Sequence, residues 1–142
     1  MKQRFLTILI SLLSLLFTGC QEQVRAIVGT YSYKISGQVT VDDETKALPE
    51  EIGAMDLLRV DATNAILTFN ALKGPVYTAE AEINNNEIDL FTFERNITIG
   101  LNDYHIFVTG TGTVHDNTII FTLDYTGNDI SSDQVTLLCK KN

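Results

Sequence analysis

A chain of 142 residues with a formal charge of −8, no tryptophan and two cysteines has the length of one domain. So acidic a balance argues against nucleic acid as a partner, because phosphate recognition needs a basic stripe that releases counterions. It argues equally against electrostatic attraction to an anionic membrane surface.

Lys2 and Arg4 precede an apolar run over residues 5–17, interrupted only by Thr7, Ser11 and Ser14. Spanning hydrocarbon takes roughly twenty residues. The run falls short of that and has the size of the apolar region of a secretory signal. It closes on Leu16-Phe17-Thr18-Gly19-Cys20. This stretch resembles the lipobox of bacterial lipoproteins. The resemblance implies cleavage before Cys20 and a lipid on its thiol. It also implies an anchor in the outer membrane, on the periplasmic or the surface face of the cell envelope. Residues 1–19 are then a signal, 20–26 a tether and 27–142 the folded domain. Loss of Lys2 and Arg4 would move the formal charge to −10. With Cys20 lipidated, Cys139 has no disulfide partner and reads as a small buried hydrophobe.

Beyond the tether the hydrophobic period is two. Tyr31, Tyr33, Ile35, Gly37, Val39 and Val41 alternate with Ser32, Lys34, Ser36, Gln38 and Thr40, the pattern of a half-buried strand. Residues 42–56 then break the alternation. They are acidic, and Pro49-Glu50-Glu51 suits the first turn of a short helix. A connection this long reads as a lid or as a disordered loop. Short strands are predicted over 57–63 and 65–71. Tyr77, Ala79, Ala81 and Ile83 alternate next, and 87–93 and 96–100 follow. Tyr104, Ile106, Val108, Gly110, Gly112 and Val114 form another stripe, then Ile119, Phe121, Leu123 and Tyr125, and last 134–140. The connections are short and rich in Asn, Asp and Gly, so neighbours are antiparallel hairpins. Parallel crossovers have no room. The fold class is all-β: an up-and-down meander of about eight strands. It closes into a barrel or folds into a two-sheet sandwich, and the barrel is the expectation.

Gly29-Thr30-Tyr31-Ser32-Tyr33, a long first loop, a hairpin meander and Gly110-Thr111-Gly112-Thr113-Val114 resemble the lipocalin and calycin barrels, in particular small calycin-like lipoproteins of Bacteroidetes. The likeness implies an eight-stranded barrel with a small-molecule cavity. Tyr31 stands where lipocalins typically carry Trp. The family packs a basic residue over that ring, and Lys140 is the candidate for it.

No catalytic constellation is visible. His105 and His115 lie ten positions apart on one strand, roughly 33 Å when extended, too far to share a metal. Asp42-Asp43-Glu44 and the group Asn128, Asp129 and Asp133 lack the spacing of a calcium loop and read as solvated charge. No cofactor and no metal is expected. The inward stripes read as ordinary core or, in part, as the lining of a cavity, since inward Tyr hydroxyls need partners and small residues leave space. For a binding module, the expected lining is Tyr31, Tyr33, Tyr104 and Phe121, with Ile52 or Met55 supplied by the lid, around a small apolar or amphipathic ligand. The rival reading is a structural lipoprotein. Its barrel would be filled by side chains, and it would dock an envelope protein.

Overall fold

The computed structural model describes residues 27–142. Cys20 and the expected signal and tether, residues 1–26, lie outside the described residues. Nine strands follow in chain order: β1 (Gly29–Val41), β2 (Glu44–Ala47), β3 (Glu51–Arg59), β4 (Asn64–Ala71), β5 (Val76–Asn84), β6 (Glu87–Ile99), β7 (Asn102–His115), β8 (Thr118–Gly127) and β9 (Ile130–Lys141). From β3 onward each strand pairs antiparallel with the next, and β9 returns to pair with β1. β1 and β3–β9 thus form a ring of eight strands, the expected meander, and β2 is an extra arm on β1. Ring closure satisfies the edges that a sandwich would leave open.

The segment 42–56 is not a lid. Asp42 and Asp43 both take left-handed backbone, φ 50° and 64°, the requirement of a two-residue type I′ turn. The chain therefore reverses at once, and β2 runs back along residues 38–41 of β1. After Leu48-Pro49-Glu50 it enters β3, which pairs with residues 29–35 of β1. No helical turn forms at Pro49. Both strands were illegible by period. β2 is almost wholly solvated, and the inward positions of β3 are Glu51, Gly53, Met55 and Leu57, only half of them large and apolar.

The alternating faces turn inward as predicted. Tyr31, Tyr33, Ile35, Met55, Leu57, Leu67, Phe69, Ile106, Val108, Ile119, Phe121, Leu137 and Cys139 form one buried cluster. Burial pushes the Cys139 thiol up to about 12, so it stays protonated and inert. The inward glycines do not leave voids. A Cβ on Gly112 would lie 2.4 Å from the Phe121 ring, and one on Gly110 would lie 2.6 Å from the Thr122 carbonyl oxygen. They are sites of close approach. Lys141, not Lys140, carries the cation near Tyr31, with Nζ 5.9 Å from the ring centroid. The two-residue period turns Lys140 outward and Lys141 toward the ring, since Lys141 is the residue in register with Tyr31.

The ring is uneven. β5 and β6 share register only over 81–84 and 87–90. A bulge between Leu90 and Phe93 then carries β6 away, and residues 93–99 are in register with β7. On the other side, β1 exchanges β3 for β2 at about the same level. One end of the barrel is therefore open between β6 and the start of β3.

Two substitutions test the packed interior. Phe121→Ala is expected to cost roughly 3–5 kcal/mol. Gly112→Ala, which adds one methyl group against that ring, is expected to cost about 1–3 kcal/mol. Urea unfolding of the domain measures both, and a neutral Gly112→Ala would mean that space remains beside Phe121.

Candidate functional site

The open end holds a cavity of about 420 Å³. Its walls are Ile35 of β1, the β2–β3 connection from Leu48 to Ile52, the β4–β5 turn from Leu72 to Pro75, residues 95–98 of β6, and Tyr125 of β8. Leu48, Pro49, Ile52, Leu72, Pro75, Ile97 and Tyr125 make most of this surface apolar. A volume of a few hundred cubic ångströms with an apolar lining and a few polar groups is the usual form of a small-molecule site. A second hollow of about 520 Å³ lies against Asp42, Asp43 and Asp129. It is shallow, and Ile130 is its one large apolar side chain. Among the described residues, no group of His, Cys, Asp and Glu could hold a metal ion.

Glu51 and Arg95 form the polar floor of the cavity. Glu51 is the first residue of β3, and its even-odd parity turns it inward with Met55 and Leu57. Arg95 has the parity of Ile97 and Ile99 on β6. Their side chains meet across the open seam, only 17% and 13% exposed. Arg95 Nη2 donates to Glu51 Oε2 in a short contact. Nη1 donates to the Tyr77 hydroxyl oxygen at 2.7 Å. The hydroxyls of Tyr77 and Tyr33 donate to Glu51 Oε1 at 2.6 and 2.8 Å. One carboxylate thus accepts from three side chains.

Aromatic rings back the cluster. Phe69 of β4, Tyr77 of β5 and Phe93 of β6 stack in a row, with centroids 4.8 and 6.0 Å apart. Tyr33 meets Phe69 edge-on at 5.2 Å. The Arg95 guanidinium carbon lies 4.2 Å from the Tyr77 centroid, a cation–π distance. This ladder crosses the seam where the β5–β6 backbone pairing has ended.

Burial alone would raise the Glu51 carboxyl. The Arg95 and tyrosine hydrogen bonds outweigh it and hold the group below its ordinary value of 4.5. Burial, with the Glu51 charge in support, drives the Tyr33 and Tyr77 hydroxyls well above the usual phenol range. Burial also raises Tyr125, to about 12. All three stay protonated at neutral pH. One atom is left over. Arg95 Nε is buried and has no hydrogen-bond partner among the described residues.

Of the residues expected to line a site, Ile52 reaches the cavity, at its rim and 44% exposed. Tyr31, Met55 and Phe121 are sealed in the core. The Tyr31 hydroxyl is satisfied by the Ile27 carbonyl at 2.5 Å. Tyr33 stands behind Glu51, and Tyr104 packs half-buried against the core. Glu51, Arg95 and Tyr77 were not among the expected site residues. A signal existed for Arg95, a charge at an inward parity position between Phe93 and Ile97. His105 lies outside, with Nδ1 3.0 Å from Asn96 Oδ1 and Nε2 3.3 Å from Glu94 Oε2.

No protein-family model and no curated protein matches the chain. Among solved structures, EF1p2_mFAP2b bound to DFHBI is similar at TM-score 0.52 and 8% identity, over 87% of this chain and 98% of that one. A redesigned beta barrel, b11L5F_LGL, is similar at TM-score 0.46 and 13% identity, over 84% and 95%. The first likeness supports the barrel fold found here.

Removing Glu51 leaves the Arg95 charge buried without its counter-ion. Glu51→Ala is expected to cost about 3 kcal/mol at neutral pH, at the low end for breaking a buried pair. A carboxyl whose folded pKa lies below its unfolded one contributes stability that is present above the unfolded value and is lost as pH falls through the folded value. The gap between wild type and Glu51→Ala should therefore narrow on acidification below 4.5. Chemical denaturation across pH measures it, and a constant gap would show that the carboxylate charge contributes nothing.

Proposed function

We propose that this protein is a lipid-anchored binding module of the cell envelope. It takes a small apolar or amphipathic molecule into the open end of its barrel. The observation that carries the reading is the cavity of about 420 Å³, walled by apolar side chains and floored by Glu51 and Arg95. The site differs in place from the one expected from the inward aromatics. It lies above the packed core, and Ile35, Ile97 and Tyr125 take the lining roles expected of Tyr31 and Phe121. The neighbouring structure solved with DFHBI is compatible with a barrel of this shape accepting a small molecule.

The anchor is Cys20. β1 begins at the end of the ring opposite the cavity, since Gly29 is in register with Leu57 whereas Ile35 is in register with Glu51. A tether leading into Gly29 would leave the mouth facing away from the lipid surface. The rival reading, a structural lipoprotein docking an envelope partner, draws support from the filled lower barrel.

Two experiments test the proposal. The neutral ketone probe 6-propionyl-2-(dimethylamino)naphthalene should bind the domain saturably, with a blue-shifted emission. Ile97→Trp, which fills the cavity from β6, should weaken that binding about tenfold or more while circular dichroism stays unchanged. Cys20→Ala should leave the protein unprocessed or release it from the membrane fraction, because acyl chains contribute about 0.8 kcal/mol per buried CH₂. Probe binding that ignores Ile97→Trp would remove the cavity from the function. A mature wild-type N-terminus without lipid would remove the anchor.

A further inference from the structure

The cavity walls carry two acids, Glu50 and Glu51, and two bases, Lys73 and Arg95. Glu50 is paired with Lys34 at 2.5 Å, and Lys73 is exposed on the β4–β5 turn at the rim. The two groups at the floor are joined to each other. Glu51 takes up both terminal nitrogens of Arg95, and Tyr77 accepts from one of them as well. No charge is left there for an anionic ligand to neutralise. A carboxylate entering the cavity would lie beside the Glu51 carboxylate, where like charges repel strongly at low dielectric. The one unpartnered nitrogen among the described residues, Arg95 Nε, is buried out of reach of a ligand in the cavity.

We propose that Glu51 is the specificity-determining residue of this cavity: an internal counter-ion to Arg95 that makes the site take uncharged apolar molecules and turn away their anionic analogues. The proposal rests on the reading of the cavity as a ligand site. Glu51 sets the class of ligand through Arg95. Its carboxylate holds the guanidinium in place and cancels its charge, while the hydroxyls of Tyr33 and Tyr77 hold the carboxylate in turn.

The test uses two probes on one ring system: 6-propionyl-2-(dimethylamino)naphthalene, a neutral ketone, and 6-(dimethylamino)-2-naphthoate, its carboxylate counterpart. Titrations are run at physiological salt or above, where charges more than about 8 Å away are screened. Wild type is expected to bind the ketone about tenfold more tightly than the naphthoate. Glu51→Gln keeps the shape but frees the Arg95 charge, and should erase or invert that preference. Glu51→Asp keeps the charge and should keep the preference. Asp116→Asn, at the β7–β8 turn of the far end, removes a charge without touching the cavity and should change nothing. Should Glu51→Gln fail to fold, the wild-type ratio and Glu51→Asp decide the matter. Equal binding of both probes by wild type, or an unchanged preference in folded Glu51→Gln, overturns the role of Glu51 and leaves the ligand site standing. Binding of neither probe by wild type overturns both.

Discussion

The ion pair between Arg95 and Glu51 joins β6 to β3 across the interior, over two intervening strands. It acts where the backbone does not. β5 and β6 are in register over four residues each, and past the bulge at Leu90 the inner space between them is occupied by Phe69, Tyr77 and Phe93 in a row. A buried ion pair is a weak source of stability by itself, because desolvation offsets most of the Coulombic gain. This one carries additional hydrogen bonds from two tyrosines, the condition under which such a pair becomes favourable. It ties β6 to β3 at the open end and forms the floor of the cavity.

Below that floor the barrel is full, and the reason is a complementarity between glycine and aromatic residues. Phe121 lies over Gly112, and Leu123 crowds Gly110. Each small residue on β7 is answered by a larger one on β8, its direct cross-strand partner. Small inward residues have two readings, space or close approach. The register selects the second, because cross-strand partners in an antiparallel pair stand only about 5 Å apart. The inward tyrosine hydroxyls are likewise satisfied within the chain, Tyr31 by a backbone carbonyl and Tyr33 by Glu51. Neither needs a ligand. The site lies where that filling stops.

The ring and most of its strands were legible because burial on one face imposes period two, and β1, β5, β7 and β8 display it without interruption. Two kinds of feature were not. β2 and β3 lack a continuous apolar face, and the turn between β1 and β2 is Asp-Asp instead of the Asn-Gly or Asp-Gly that announces a type I′ hairpin. The result looked like a loop. The functional cluster was hidden for a different reason. Glu51, Tyr77 and Arg95 are far apart in sequence and sit on three strands, and their meeting depends on the parting of β5 from β6. A bulge is set by one extra residue, and no local pattern at Phe91-Thr92 marks it. The parity of Arg95 was readable; its partner was not.

The same irregularities that hid the site also create it. An unbroken eight-stranded ring of this size has an interior just wide enough for its own side chains, and the lower half of this barrel follows that rule. Two departures at one level change the upper half. β1 passes from β3 to β2, and β6 bends away from β5. The wall made by β3, β4 and β5 stops short, while β6–β9 and β1 continue. Side chains that would face a partner strand across the ring face an opening instead. Ile97 and Tyr125 keep an apolar wall there, and Glu51 with Arg95 supplies the polar floor. A binding site in a barrel too narrow to be hollow needs such a local mismatch in strand length. In this chain the mismatch falls at the end away from Gly29, and the Glu51–Arg95 pair leaves its floor without net charge even though the protein as a whole is acidic.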